Sequence, residues 1–149
     1  MKLSDYLDAN SIRLDLQATS KEQVLNELVN MLAASGRIHN KEALLEALLE
    51  REGLGSTGIG HGVAIPHGRS PELEKATLVL GRTKANVDFD SIDGQPARLF
   101  FLLVAPENGS NEHLHLLSRI AKLMRDSQTR EHLLQATTPQ QVAEEIQRS

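Results

Sequence analysis

The sequence predicts an α/β fold, a single domain spanning 1–149 in which helices flank a small mixed β-sheet on both sides. Three observations carry this. Strand-like and amphipathic helical segments alternate along the whole chain, without an internal repeat, a low-complexity tract or a linker. The length of 149 residues is that of one domain able to bury a core. Hydrophobic residues make up 40 %, yet only Tyr6, Phe89, Phe100 and Phe101 are aromatic, so the core is expected to be aliphatic.

In chain order, residues 3–7 are expected as a short helical turn, and 11–16 alternate with the period of a half-buried strand. Ser20 is placed to cap the amide of Gln23 while Gln23 reaches back, opening a helix whose stripe of Val24, Leu25, Leu28, Met31 and Leu32 ends near Gly36. Asn40 is a plausible N-cap for a second helix that runs to about Glu52, with Gly53 as its stop. Val63, Ala64 and Ile65 are expected to be extended, because Pro66 disfavours helical backbone before it, so His67 follows a strand end. Residues 76–81 and 98–105 read as buried strands, separated by a turn at Asp93, Gly94 and Pro96, and 106–111 as a loop. Helices are then expected from about Asn111, over 129–135, and from Thr138 with Pro139 in the first helical position.

The residues that can do chemistry gather around one stretch. Segment 51–68, Arg-Glu-Gly-Leu-Gly-Ser-Thr-Gly-Ile-Gly-His-Gly-Val-Ala-Ile-Pro-His-Gly, holds six of the ten glycines and two of the six histidines. Glycine weakens regular elements by about 0.5–1 kcal/mol relative to alanine, so such a cluster marks backbone that turns sharply or approaches another group closely. His67, between Pro66 and Gly68, is the candidate reactive centre. In the second helix Glu42, Glu46 and Glu50 fall on the solvated side, whereas Arg51 follows the stripe of Leu44, Ala47 and Leu48 and leaves the helix end towards the glycines. A cation near a helix C-terminus is favoured in any protein, so a snorkelling arginine explains that position equally well. In Glu-His-Leu-His, His115 shares the wet face of its helix with Arg119 and Lys122, while His113 lines up with Leu116, Leu117, Ile120 and Met124. If that helix start packs near the end of the 63–65 strand, His113 and His67 face one pocket, where the helix dipole favours an anion. A hydrogen-bonded histidine at a helix start is the ordinary alternative for His113. His61 is expected to be an exposed loop residue, and His39 and His132 lie on the surface.

Several chemistries drop out. The 20 acidic residues exceed the 16 basic ones, and a net charge of −4 argues against nucleic-acid binding. Without cysteine there are no disulfides, thiolate nucleophiles or cysteine metal sites. The amino terminus lacks the apolar core of a signal peptide and no apolar run approaches a membrane span, which makes the cytoplasm the default location. Helical spacing sends His113 and His115 apart, so neither a metal site nor a cofactor is expected. The glycine run has no Gly-Lys-Ser/Thr ending, and no Gly-x-Ser-x-Gly elbow occurs. What remains is an imidazole with an ordinary pKa of about 6.5, substantially neutral and nucleophilic at neutral pH, with arginine and a second imidazole as partners for a phosphoryl group.

Segment 51–68 resembles the phosphorylation-site signature of the mannitol/fructose-type enzyme IIA domains of the bacterial phosphotransferase system. Residues 87–96, Val-Asp-Phe-Asp-Ser-Ile-Asp-Gly-Gln-Pro, and 112–122, from Glu-His-Leu-His to Lys, are similar to that family in the same order and spacing. The resemblance implies that His67 is the phosphoacceptor, modified at Nε2, that Arg51 and His113 hold the phosphoryl group, and that Ser56 and Thr57 also bind phosphate. It implies an HPr-like carrier as donor. With neither a IIB nor a membrane segment, the chain looks most like the nitrogen-related branch, a regulatory IIA acting on kinases or transporters through its phosphorylation state. A sugar-specific IIA that hands phosphate to a IIB cysteine, a binding module without phosphotransfer and a small metal protein are the alternatives.

Overall fold

The computed structural model describes residues 2–108 and 111–149. At its centre lies β6 (Ala97–Pro106), whose Leu99, Phe101 and Leu103 point to one face and Phe100, Leu102 and Val104 to the other, as the two-residue period of a strand requires. Both sets are fully buried, so both faces need a cover. On one edge β6 pairs antiparallel with β5 (Thr77–Val87), which pairs in parallel with β1 (Ile12–Leu16). On the other edge it runs parallel to β3 (Val63–Ala64) and β4 (His67–Ser70), and β3 pairs antiparallel with β2 (Gly58–Gly60). The result is one mixed six-stranded sheet in the order β1-β5-β6-β3-β2, with β4 paired to β6.

Helices α1 (Lys21–Ala34) and α2 (Lys41–Gly53) cover the face of Phe100, with Val24, Leu28, Leu44 and Leu48 in its core. Helices α3 (Glu112–Leu123), α4 (Ser127–Gln135) and α5 (Pro139–Arg148) cover the face of Phe101, joined by a 3₁₀ turn at Leu3–Asp5. The mixed sheet flanked by helices on both sides is the fold expected from the sequence.

Local chemistry sets the ends of these elements. The hydroxyls of Ser20 and Thr138 and the side-chain oxygen of Asn40 accept from Gln23, Gln141 and Ala43 amides at 3.2, 3.2 and 3.1 Å. Gln23 reaches back one residue further than a capping box does, accepting from the Thr19 amide at 2.9 Å. Helix α2 ends at Gly53, within a residue of the expected end, but Gly53 does not take the positive φ of a glycine cap; that comes at Gly55, where φ is +151°. Strand β5 runs six residues beyond the expected Gly81, because the polar Arg82, Thr83 and Lys84 hide the strand in the sequence. Arg82 is held in place by donating to the Leu133, Leu134 and Ala136 carbonyls at the end of α4.

The glycine segment is not one loop. Gly58–Gly60 forms β2, and His61 and Gly62, with φ of +59° and +79°, make a two-residue hairpin turn into β3. Nor does the strand end before His67. Pro66 interrupts it, but its carbonyl accepts from the Leu103 amide at 3.0 Å, and β4 resumes at His67 opposite Leu103. Of the expected loop 106–111, Gly109 and Ser110 lie outside the described residues.

Candidate functional site

His67 opens β4 on the face that carries Leu103 and Ile65, half-buried at the edge of the sheet. Its Nδ1 lies 2.8 Å from the carbonyl oxygen of Ile65. A carbonyl only accepts, so Nδ1 carries the proton and Nε2 keeps its lone pair. Pro66 contributes by fixing the φ angle between donor and acceptor residues. Burial holds the imidazole below its usual pKa; the Ile65 carbonyl and Glu52 oppose this, and the nearby charges of Arg51 and His113 reinforce it. The ring is thus neutral, with a defined tautomer.

Arg51 comes from the last turn of α2. Its Nη1 donates to the Gly55 carbonyl at 2.8 Å, so the guanidinium is turned towards the glycine segment. Next to it Glu52 is buried, one of eight buried polar or charged residues among those described. Its carboxylate accepts from the Thr57 amide at 3.1 Å and from the Thr57 hydroxyl, and pairs with Lys21 at 2.9 Å. This contact ties the start of β2 to the end of α2. Ser56 donates its hydroxyl to the Phe89 carbonyl and accepts from the Gly58 amide at 3.0 Å. The hydroxyl protons of Ser56 and Thr57 are therefore committed to protein acceptors.

His113 sits in the first turn of α3, half-buried, with its Nε2 at 3.3 Å from Nη2 of Arg69. Arg69 also donates through Nη1 to the Pro106 carbonyl at 3.0 Å. It stands two residues after His67 on the same face of β4, a relation that a strand period would have revealed had β4 been recognised. Beside His113, Glu112 accepts from the Tyr6 hydroxyl and, at 3.1 Å, from the Ala76 amide, which anchors the helix start to the sheet. The Tyr6 bond, foremost, keeps the Glu112 carboxyl below the usual range. The structure thus brings His67, Arg51 and His113 into electrostatic contact and adds Arg69 and Glu52 to them.

The remaining histidines stand apart. His61, His39, His115 and His132 are exposed, and His132 bonds Glu145 at 3.0 Å. Among the described residues no three His, Asp or Glu side chains gather as metal ligands, and no helix is long and apolar enough to cross a membrane.

Solved structures that share this fold include IIA proteins. The nitrogen regulatory protein IIA-Ntr of Neisseria meningitidis matches with a TM-score of 0.89 and 36 % identity, over 97 % of this chain and 98 % of that one. The IIA mannitol protein of Escherichia coli matches with a TM-score of 0.81 and 26 % identity, over 94 % and 98 %. In sequence, a nitrogen regulatory protein of Bradyrhizobium diazoefficiens is 46 % identical over 126 residues, 85 % of this chain and 82 % of the relative. A fructose-specific EIIABC component of Bacillus subtilis is 40 % identical over 136 residues, but these cover 91 % of this chain and only 21 % of that larger protein. The family model described as "Phosphoenolpyruvate-dependent sugar phosphotransferase system, EIIA 2" matches residues 5–149, and the chain belongs to that family.

Proposed function

We propose that this protein is a cytoplasmic, nitrogen-related IIA that takes a phosphoryl group on His67 from an HPr-like carrier and controls a kinase or transporter through its phosphorylation state. The observation that carries the reading is the bond from His67 Nδ1 to the Ile65 carbonyl, since it leaves Nε2 as the nucleophile. In the step, the Nε2 lone pair forms a bond to phosphorus as the nitrogen–phosphorus bond of the donor breaks. The departing electron pair stays on the donor imidazole. The positive charge left on the His67 ring is stabilised by the Ile65 carbonyl. Arg51 and His113 face the incoming oxygens and offset their charge, which is most of what such a transfer asks of a protein. Ser56 and Thr57, by this reading, shape the glycine segment instead of contacting phosphate.

Incubation with the carrier, enzyme I and phosphoenolpyruvate should label His67 with acid-labile, base-stable phosphate. Arg51→Ala and His113→Ala should each slow labelling roughly 10- to 100-fold, the loss of one charge-assisted contact. Full labelling of His67→Ala would refute the assignment, and absence of labelling would leave a binding module. The fructose-specific relative supports a second reading, a IIA serving sugar transport. Efficient transfer onward to a IIB cysteine, without state-dependent binding of a kinase or transporter, would favour it.

A further inference from the structure

The bridge from β4 to α3 carries a role that His67, Arg51 and His113 do not cover. Arg69 reaches across from the nucleophile's own strand with both arms of its fork, Nη1 on the Pro106 carbonyl at 3.0 Å and Nη2 on His113 Nε2 at 3.3 Å. The first contact fixes the guanidinium plane against the end of β6. The second has a chemical consequence, because a guanidinium donates and never accepts. The Nε2 atom facing it must hold a lone pair, which puts the proton of a neutral His113 on Nδ1.

We propose that Arg69 is a positioning residue, which sets the tautomer and ring orientation of His113 and so fixes how that imidazole meets the phosphoryl group on His67. The role of His113 itself rests on the proposed phosphotransfer; the tautomer does not. Arginine suits the task because a planar fork satisfies two acceptors in one fixed geometry, which a lysine does not. A ring turned to another orientation would present its other nitrogen, and phosphoryl transfer is sensitive to small misplacements. Arg69 is itself exposed and belongs to neither core cluster, so its removal leaves the cores intact.

Two measurements on the intact protein test this. Side-chain ¹⁵N shifts should show His113 with its proton on Nδ1 in the wild type, and a shift of that proton towards Nε2 in Arg69→Ala. Labelling of His67 by the carrier system should slow roughly tenfold in Arg69→Ala, the scale of one lost hydrogen bond to a charged donor. In a His113→Ala background the same change should add less than about twofold, since Arg69 acts through His113. An unchanged tautomer, or a full additive loss in the double variant, overturns the proposal and makes Arg69 at most an independent charge. Failure of the wild type to be labelled would instead sink the phosphotransfer reading, with the ¹⁵N result still deciding what Arg69 does to His113.

Discussion

Glu52 offers the sharpest separation of scaffold from chemistry, because its buried carboxylate holds the glycine segment to α2 without touching His67. It is 8 % exposed and satisfies three donors: the Thr57 amide, the Thr57 hydroxyl and Lys21. Glu52→Ala strands both Thr57 donors in a residue only 5 % exposed. Each such loss costs about 1–3 kcal/mol. Lys21 suffers less, since it keeps 20 % exposure, Asp90 at 3.6 Å and a place over the Phe89 ring. The expected total is about 2–6 kcal/mol, with Glu52→Gln near half of it, since the amide oxygen still serves one Thr57 donor. In a chain of this size each kcal/mol lowers the melting temperature by about 2–4 °C, so calorimetry should show losses in the order Ala, then Gln. Urea unfolding with an unchanged m-value should give the same order. Glu52 also raises the His67 pKa, so both variants should depress it further in an NMR titration. Stability within about 0.5 kcal/mol of wild type for Glu52→Ala would show that the Thr57 contacts do not hold the segment.

Three other outcomes follow from single contacts. His67 is held below the ordinary imidazole pKa, so the neutral nucleophile persists as pH falls through about 6.5 and the phosphorylation rate should drop only below that. The unfolded chain takes up this proton first, so the stability it contributes is complete above about pH 6.5 and is lost as pH falls beneath it; a melting temperature that declines as steeply in His67→Ala as in wild type would contradict this. Gly81→Ala puts a Cβ at 2.4 Å from Leu16 Cδ1 and 2.9 Å from Leu28 Cδ2, both fully buried, and should cost about 1–3 kcal/mol in urea unfolding with His67 labelling unchanged in the folded protein. Tyr6, the lone tyrosine, is pushed up to about 12 by its bond to Glu112, and an ultraviolet titration near the usual value of about 10 would rule that bond out.

The sequence was most legible where one periodicity or one cap decided the outcome. The α1 stripe of Val24, Leu25 and Leu28, the Thr138 cap of α5 and the continuous apolar run of β6 are each local signals, and each became the expected element. The strands around His67 were harder to see, because their reasons are tertiary. Pro66 argues for a strand end, and only the Leu103 amide bonded to its carbonyl keeps the chain on the edge of β6. Gly58–Gly60 has no strand-forming side chain except Ile59, and pairs because the His61-Gly62 turn folds it onto Val63. Arg69 escaped for the same reason. Without β4 there was no face for it to share with His67. Ser56 and Thr57 show the opposite limit: hydroxyls in a phosphate signature invite a phosphate role, and only the positions of Phe89 and Glu52 reveal where their protons go.

The geometry also shows what a strand edge and the glycine after it give the proposed phosphoacceptor His67. Arg51 and His113 belong to helices on opposite faces of the sheet, α2 and α3, and a central strand would keep them apart by a full layer of backbone. At β4, which among the described residues pairs with β6 alone, the sheet ends and both can act on one imidazole. Bringing Arg51 round the edge requires α2 to pack closely on β4, and Leu48 of α2 packs against Gly68. A Cβ there would stand 3.1 Å from Leu48 Cδ2, tighter than ordinary contact, and would push against the turn of α2 that precedes Arg51. The glycine after His67 therefore serves the opposite face from the imidazole. It lets the helix that carries Arg51 close on the strand that carries His67.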